Sequence, residues 1–318
     1  MSIIPTISEA SSYTVVGGPG SQVRDDQVFS LILLNRGGSM NRADALEDFG
    51  KLHPGEIISI ENSGGAWAIE SLAAQFPRVR FILPGSPVSP GECVNIGIRE
   101  AKGRLAAVLW SDMKAAPSGF PEAELRALQE DPPLCTMPWF YNRDNEAMPV
   151  LQTPAFQEKK LKVLPGLPAQ EVSPTLFPCD YCGIYSREKF LALDGYDPAI
   201  RGPWWQKADF GFRARLWGEK IVSSRRFRVG ASENAPAENT GAGPDYRAFF
   251  LKNLAVRYAG GGAHLSLSAF FPFFLHSGCG FFTAFSEFRA ARQWVSRNSS
   301  RFKMDPQSIA EHWEEAAE

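Results

Sequence analysis

Apolar runs recur through the first third of the chain, each followed by a polar cluster. Val28-Phe29-Ser30-Leu31-Ile32-Leu33-Leu34 closes on Asn35-Arg36-Gly37, and Ile57-Ile58-Ser59-Ile60 closes on Glu61-Asn62-Ser63. A third run, Val79–Leu83, leads into a Pro/Gly/Ser loop from Pro84 to Gly91, and a fourth, Gly103–Met113, ends in Trp110-Ser111-Asp112-Met113. Nearly continuous apolar runs of this length read as strands buried on both faces. Ser39–Leu52, Ala66–Gln75 and Glu92–Ala101 carry helical patterns between them. Strands alternating with helices predict an α/β fold, with a mostly parallel central sheet and helices on both faces. Ligands of such sheets bind beyond the carboxyl ends of the strands. The polar clusters after the first, second and fourth runs fall on that one edge. Taken alone, Asp112 is either a site acid or the start of a turn.

Beyond Lys114 the pattern is less regular. A helix is predicted over Pro121–Gln129 and a strand over Leu134–Met137. Trp139–Pro178 has weak periodicity and a basic patch (Lys159, Lys160, Lys162), and so reads as a functional or mobile loop. A strand over Cys179–Tyr185, a helix over Arg187–Leu193 and a turn at Gly195–Pro198 follow. A further helix opens at Trp204 and stops at Gly218. From Asp245 the composition shifts. Tyr246–Tyr258 reads as a helix broken by Gly260-Gly261-Gly262, and Leu265–Phe285 has no charged residue if His276 is neutral. That length reaches the ~20 residues of a membrane span, but Pro272, Gly278 and Gly280 weigh against a plain spanning helix. Phe270, Phe274, Phe281 and Phe285 share a helical face, and Arg289, Arg292, Arg297, Arg301 and Lys303 follow. A buried helix pair, a helix lying on an anionic membrane surface and a true span all remain open. The expected division is a flexible lead-in (1–26), an α/β domain (27–232) and a helical, hydrophobic extension (233–318).

Composition narrows the classes. The chain has 318 residues, 44% of them hydrophobic, and a formal charge of −2, enough for a large core and no electrostatic footprint for nucleic acid. Five cysteines, an odd number, suit a reducing compartment rather than a disulfide framework. No basic stretch leading into an apolar one opens the chain, so a cytoplasmic location is expected. Cys179 and Cys182 form the only Cys-x-x-Cys, with no second ligand pair for zinc, and read as core cysteines. Trp204-Trp205 suits either a sugar-stacking platform or a core anchor.

The order of these motifs resembles the family-2 inverting glycosyltransferases, nucleotide-sugar enzymes of the GT-A fold. The resemblance covers roughly Val28 to Ser232. It rests on Asn35, Glu61-Asn62-Ser63, Val94-Asn95-Ile96-Gly97-Ile98 before Ala101-Lys102-Gly103, and the strand ending at Asp112. Gly183-Ile184-Tyr185-Ser186-Arg187, Leu193-Asp194-Gly195-Tyr196-Asp197 and Asp209-Phe210-Gly211-Phe212-Arg213 carry its second half. It implies transfer of a sugar from a nucleotide-diphosphate donor to a glycan or lipid-linked acceptor with inversion, as in cell-envelope polysaccharide synthesis. Attachment to the inner face of the cytoplasmic membrane through 265–303 would suit that role. Donor contacts are then expected from Asn35, Glu61, Asn62, Asn95, Ser111 and Arg228, with Glu61 reading the base. Acceptor contacts are expected from Gly183, Trp204 and Trp205. Asp112 would hold a weakly bound Mg²⁺ or Mn²⁺, hard cations that take oxygen ligands and phosphates.

The chain departs from that pattern at three places. Trp110 stands where the first acid of the Asp-x-Asp motif belongs. The usual Glu-Asp pair, whose acid is the general base, falls on Gln206-Lys207, and a protonated lysine takes no proton. Asp209 is the nearest substitute, but on a helix it points ~200° away from Lys207. Finally, Phe227–Ser232 has no histidine, leaving Arg228 or Arg226 for the diphosphate. A catalytically inactive binding or regulatory protein on the same fold is therefore the alternative. A nucleotidyltransferase is a third reading, of which Arg36-Gly37-Gly38 is a faint echo.

Overall fold

The structure is a computed structural model that describes residues 12–18, 29–36, 42–61, 69–157, 160–231, 238–311 and 313. Asn62, Ser63, Gly37, Gly38 and Lys159 lie outside them. Its frame is a sheet of nine strands: β1 (Tyr13–Val16), β2 (Phe29–Leu34), β3 (Glu56–Ile60), β4 (Val79–Pro84), β5 (Leu105–Trp110), β6 (Cys135–Tyr141), β9 (Val172–Pro174), β10 (Gly183–Ser186) and β11 (Ile221–Gly230), in the order β1-β4-β3-β2-β5-β10-β6-β11-β9. The other described strands are β7 (Leu151–Gln157) and β8 (Lys160–Gly166), an antiparallel pair, and a small ribbon, β12 (Arg257–Ala259) with β13 (Gly262–His264). β4, β3, β2 and β5 are parallel, as the four apolar runs predict. Every residue of β2 and β5 is buried, because helices cover both faces. β10 is inserted antiparallel between β5 and β6, and β11 runs parallel to β6. The carboxyl ends of β2, β3, β5, β6 and β11 therefore share one edge with the start of β10.

The helices are α1 (Arg42–Gly50), α2 (Ile69–Gln75), α3 (Pro90–Glu100), α4 (Glu122–Leu128), α5 (Arg187–Ala192), α6 (Pro203–Leu216), α7 (Pro244–Phe249), α8 (Phe270–Ser277), α9 (Phe281–Arg297) and α10 (Ser308–Glu311). α3 starts on a capping box, in which Ser89 accepts from Glu92 N and Glu92 accepts from Ser89 N. α6 is the central one, with eleven of its fourteen residues buried. Its Phe210 and Ala214 belong to the core under the sheet, while Ala208, Phe212 and Leu216 belong to a second core built with α7, α8 and α9.

Several expectations are corrected. Within the lead-in, Tyr13–Val16 pairs antiparallel with β4 as an edge strand. Trp139–Pro178 contains the end of β6, the β7–β8 hairpin and β9; proline, glutamine and lysine within those strands hide the period of two. Cys179–Tyr181 is a single 3-10 turn, and the strand begins only at Gly183. Tyr246–Tyr258 divides into α7, a π-helical turn over Phe250–Leu254 and the start of β12. Leu265–Phe285 spans α8 and the start of α9, separated by Gly278 in the left-handed region (φ 64°). No described helix is long and apolar enough to cross a membrane.

Gly211 shows how tightly α6 is seated. A Cβ built there lies 2.1 Å from the backbone oxygen of Leu176. Glycine to alanine inside a helix ordinarily stabilises by about 1 kcal/mol, but a backbone oxygen cannot swing aside as a flexible side chain can. G211A is expected to cost about 1–3 kcal/mol through overpacking, read as a lower urea midpoint. A raised midpoint would mean that the segment carrying Leu176 can retreat without loss.

Candidate functional site

At the shared edge, Arg36 follows β2, Asp112 follows β5 and Asp180 precedes β10. The Arg36 guanidinium carbon lies 3.9 Å from the centroid of the Trp110 ring. Its Nε is 3.4 Å from Asp112 Oδ2, and its Nη2 pairs with Asp180. The Trp110 indole nitrogen donates to the backbone oxygen of Asp180 at 2.8 Å. Asp180 and Tyr181 have φ of 51° and 62°, a conformation that non-glycine residues rarely hold without outside support. The Trp110 bond and the Tyr181 hydroxyl, which donates to Gln206 Oε1 at 2.9 Å, supply it. Burial pushes the Asp180 carboxyl above the usual carboxylate range, against the pull of Arg36.

A cleft of about 820 Å³ opens beside this cluster, lined by Asp112, Lys114, Tyr141, Arg143, Asn145 and Arg228 among others. Lys114 and Gly230 exchange backbone hydrogen bonds of 3.2 and 2.7 Å, which fasten the end of β11 to the chain leaving β5. The Arg228 guanidinium lies 4.0 Å from the Tyr141 ring centroid and donates to Asn145 Oδ1 at 3.2 Å. Lys114, Arg143 and Arg228 against Asp112 give this cleft an excess of positive charge, suited to a polyanion.

On α6, Lys207 is buried and its Nζ contacts both carboxylate oxygens of Glu238, at 2.7 and 2.9 Å. The Lys207 side chain is 4% exposed and that of Glu238 21%, so the carboxylate is the more accessible partner. Asp209 points elsewhere. It is fully buried, paired with Arg213 at 2.9 Å and bonded by Asn253 Nδ2 at 2.8 Å.

The remaining sequence candidates divide between edge and interior. Glu61 sits at the end of β3, but both Arg42 Nη atoms donate to its carboxylate at 2.5 Å, and Ser59 and Asn35 add bonds of 2.9 and 3.2 Å. At 2% exposure, Glu61 meets a base only if Arg42 lets go. Ser111 is buried after β5, its backbone N–H bonded to Leu34 O at 2.9 Å. Asn95 clasps the Tyr196 backbone, donating at 2.7 Å and accepting at 2.8 Å, so both ends of its amide are used inside the fold. Gly183 is buried, and a Cβ there would lie 2.3 Å from Cys135 Sγ. Trp204 packs edge-on against Phe177, and Trp205 packs against Tyr246 and Phe249 while donating to Gly241 O. Neither lines the cleft. Burial pushes the Cys179 thiol up to about 11 and the Cys182 thiol well above the usual range, as for core thiols rather than a redox pair.

The donor set does not fit a divalent ion. Asp112 faces Arg36, an indole fills the place of a partner acid, and no group of three His, Cys, Asp or Glu among the described residues is arranged to hold a metal. Asp180, Glu238, Lys114 and Arg143 were not singled out from sequence. Lys114, two residues past Asp112, was the one within reach of a local argument.

No protein-family model matches the sequence, and no curated protein matches it. Solved structures do. The crystal structure of GalNAc-T7 with UDP, GalNAc and Mn²⁺ superposes with a TM-score of 0.50 at 13% identity, over 86% of this chain and 58% of that one. This chain therefore matches little more than half the length of GalNAc-T7. The chain has the GT-A glycosyltransferase fold. S. aureus TarS 1–349 in complex with UDP-GlcNAc aligns at a TM-score of 0.49 and 13% identity, over 70% of this chain and 64% of that one.

The placement of Asp209 generates a direct test. D209A leaves Arg213 buried with half its partners gone, so a stability loss of about 3–5 kcal/mol is expected, with ligand affinity of the folded protein unchanged. A variant as stable as the parent but unable to bind nucleotide would return Asp209 to the site.

Proposed function

We propose that this chain transfers a sugar from a nucleotide-diphosphate donor to a glycan or lipid-linked acceptor, with inversion at the anomeric carbon. One observation carries the reading: a cleft with three cationic side chains opens at the carboxyl edge of a GT-A sheet. In this reading the donor diphosphate seats between Lys114, Arg143 and Arg228, and the Tyr141 face borders it. Arg36 supplies the positive charge beside Asp112 and Asp180 that keeps those carboxylates from repelling the donor. Fixed cations of this kind stabilise the charge that develops on a departing diphosphate.

Inversion asks for one displacement and one base. The acceptor hydroxyl oxygen attacks the anomeric carbon, the bond to the diphosphate oxygen breaks, and the hydroxyl proton passes to a carboxylate. Glu238 is our assignment for that base, since it is the carboxylate held against the α6 position where the family resemblance puts one. Lys207 then orients Glu238 and takes no proton itself.

A second reading, a binding or regulatory protein on the same fold, is favoured by the pairing of the acids. Glu61 is saturated by Arg42, Asn35 and Ser59, and Lys207 occupies both carboxylate oxygens of Glu238. The two readings divide on one experiment. Purified protein is titrated calorimetrically with UDP, then incubated with a panel of nucleotide sugars and acceptors. The transferase reading expects K114A and R228A each to weaken nucleotide binding about tenfold or more, the value of a charge-assisted bond, with EDTA leaving affinity unchanged. It expects E238Q to abolish turnover while binding persists. Tight binding with no turnover of any sugar supports the regulatory reading, and no nucleotide binding at all defeats both.

A further inference from the structure

Large apolar side chains left in solvent are concentrated at one place. Of the ten exposed among the described residues, six (Leu267, Phe271, Leu275, Phe281, Phe282 and Phe285) belong to the α8–α9 hairpin and the turn before it. Phe282 is 86% exposed and Leu275 75%. Phe281 and Phe285 keep one side against the hairpin's own rings, while Phe271, Leu275 and Phe282 are the most exposed of the six. The hairpin's inner face is an aromatic cluster, with Phe270 5.4–5.9 Å from Phe281, Phe285 and Phe288, and Phe273, Ala284 and Phe288 buried in the second core. The outer phenylalanines are thus presented to solvent on a rigid base, an arrangement that costs solubility unless something covers them.

A groove of about 1080 Å³ opens beside this tip, and Leu267 and Phe285 line both. Its charged walls are Arg289, Arg292 and Arg297 on α9, and it contains no acid. Among the described residues no carboxylate pairs with any of the three; Arg292 donates only to the Leu265 backbone, at 3.3 Å. An apolar tip bordered by unneutralised arginines is complementary to one kind of surface, an acyl layer under negatively charged phosphates. α8 has eight residues and α9 seventeen, so the hairpin lies at the interface rather than crossing it.

We infer that the α8–α9 hairpin docks this protein on bilayers containing anionic phospholipid, with Phe271, Leu275 and Phe282 entering the interface and the arginine groove holding a lipid phosphate. The surface shares no residue with the donor cleft, so docking and sugar transfer succeed or fail separately.

Flotation of the full chain tests it, using vesicles of phosphatidylcholine alone and of phosphatidylcholine with phosphatidylglycerol. The protein is expected to float with the mixed vesicles and to stay at the bottom with the neutral ones. Replacing Phe271 and Phe282 together by serine is expected to lower partitioning about tenfold or more. Arg289→Glu with Arg297→Glu is expected to do the same for the anionic vesicles, both variants keeping the parental melting temperature and nucleotide affinity. Protein that stays at the bottom with anionic vesicles overturns the proposal. Equal flotation on neutral vesicles, untouched by the arginine reversals, overturns the headgroup assignment. A dimer in light scattering that the phenylalanine variant abolishes, without vesicle binding, overturns it in favour of a second copy as the occupant.

Discussion

Two carboxylates, Asp112 and Asp180, meet at the edge of the sheet where little water reaches them, and a single guanidinium holds them together. Without Arg36 they would repel one another in a poorly screened setting, and three separate parts of the chain would lose their common anchor. The pairing also accounts for Trp110. An acid there would add a third negative charge, whereas an indole offers a π-face to the guanidinium and an N–H to the Asp180 backbone. Trp110, Arg36 and Asp180 therefore form one linked set of contacts. On α6 a second pair is formed across the chain, where Lys207 faces an acid from a distant segment, Glu238. At both places the charged groups are paired.

The sheet was legible in the sequence wherever burial was complete. β2 and β5 touch covered faces on both sides, so their apolar runs are continuous and bounded by polar residues. β7 and β8 were not legible, because a hairpin beyond the main sheet tolerates Gln152, Pro154, Lys162 and Pro165 within its strands. The turn at Cys179–Tyr181 was missed for another reason. Its left-handed residues are an aspartate and a tyrosine rather than glycine, held there by contacts from Trp110, Arg36, Gln206 and Tyr185.

The candidate site was legible as a place but less so as a set of side chains. The edge, Asp112 and Arg228 follow from strand order, and helical spacing already required Lys207 and Asp209 to face apart. Both are buried, and Asp209 is committed to the interior by Asn253, forty-four residues further on. Glu238 reaches Lys207 across thirty-one residues, and no local pattern encodes that meeting. Trp204 packs against Phe177, and Trp205 against Tyr246 and Phe249, with both indoles left partly exposed.

These long-range partners change the meaning of the C-terminal third. Asn253 completes the buried Asp209–Arg213 pair, and Phe249 packs on both Trp205 and Phe212. The face of α6 that carries Asp209 thus depends on residues beyond 240 for its hydrogen bonds and its packing. Without Asn253 the buried Asp209 Oδ1 would lose its hydrogen bond, which is costly, so α6 and the helices that cover it are coupled in stability. Lys207, on the same helix, is buried against Glu238. The exposed hairpin grows from the same second core, through Phe273, Ala284 and Phe288. α6 thus packs against both the sheet that shapes the cleft and the core that carries the apolar tip, and the two surfaces are held on one frame.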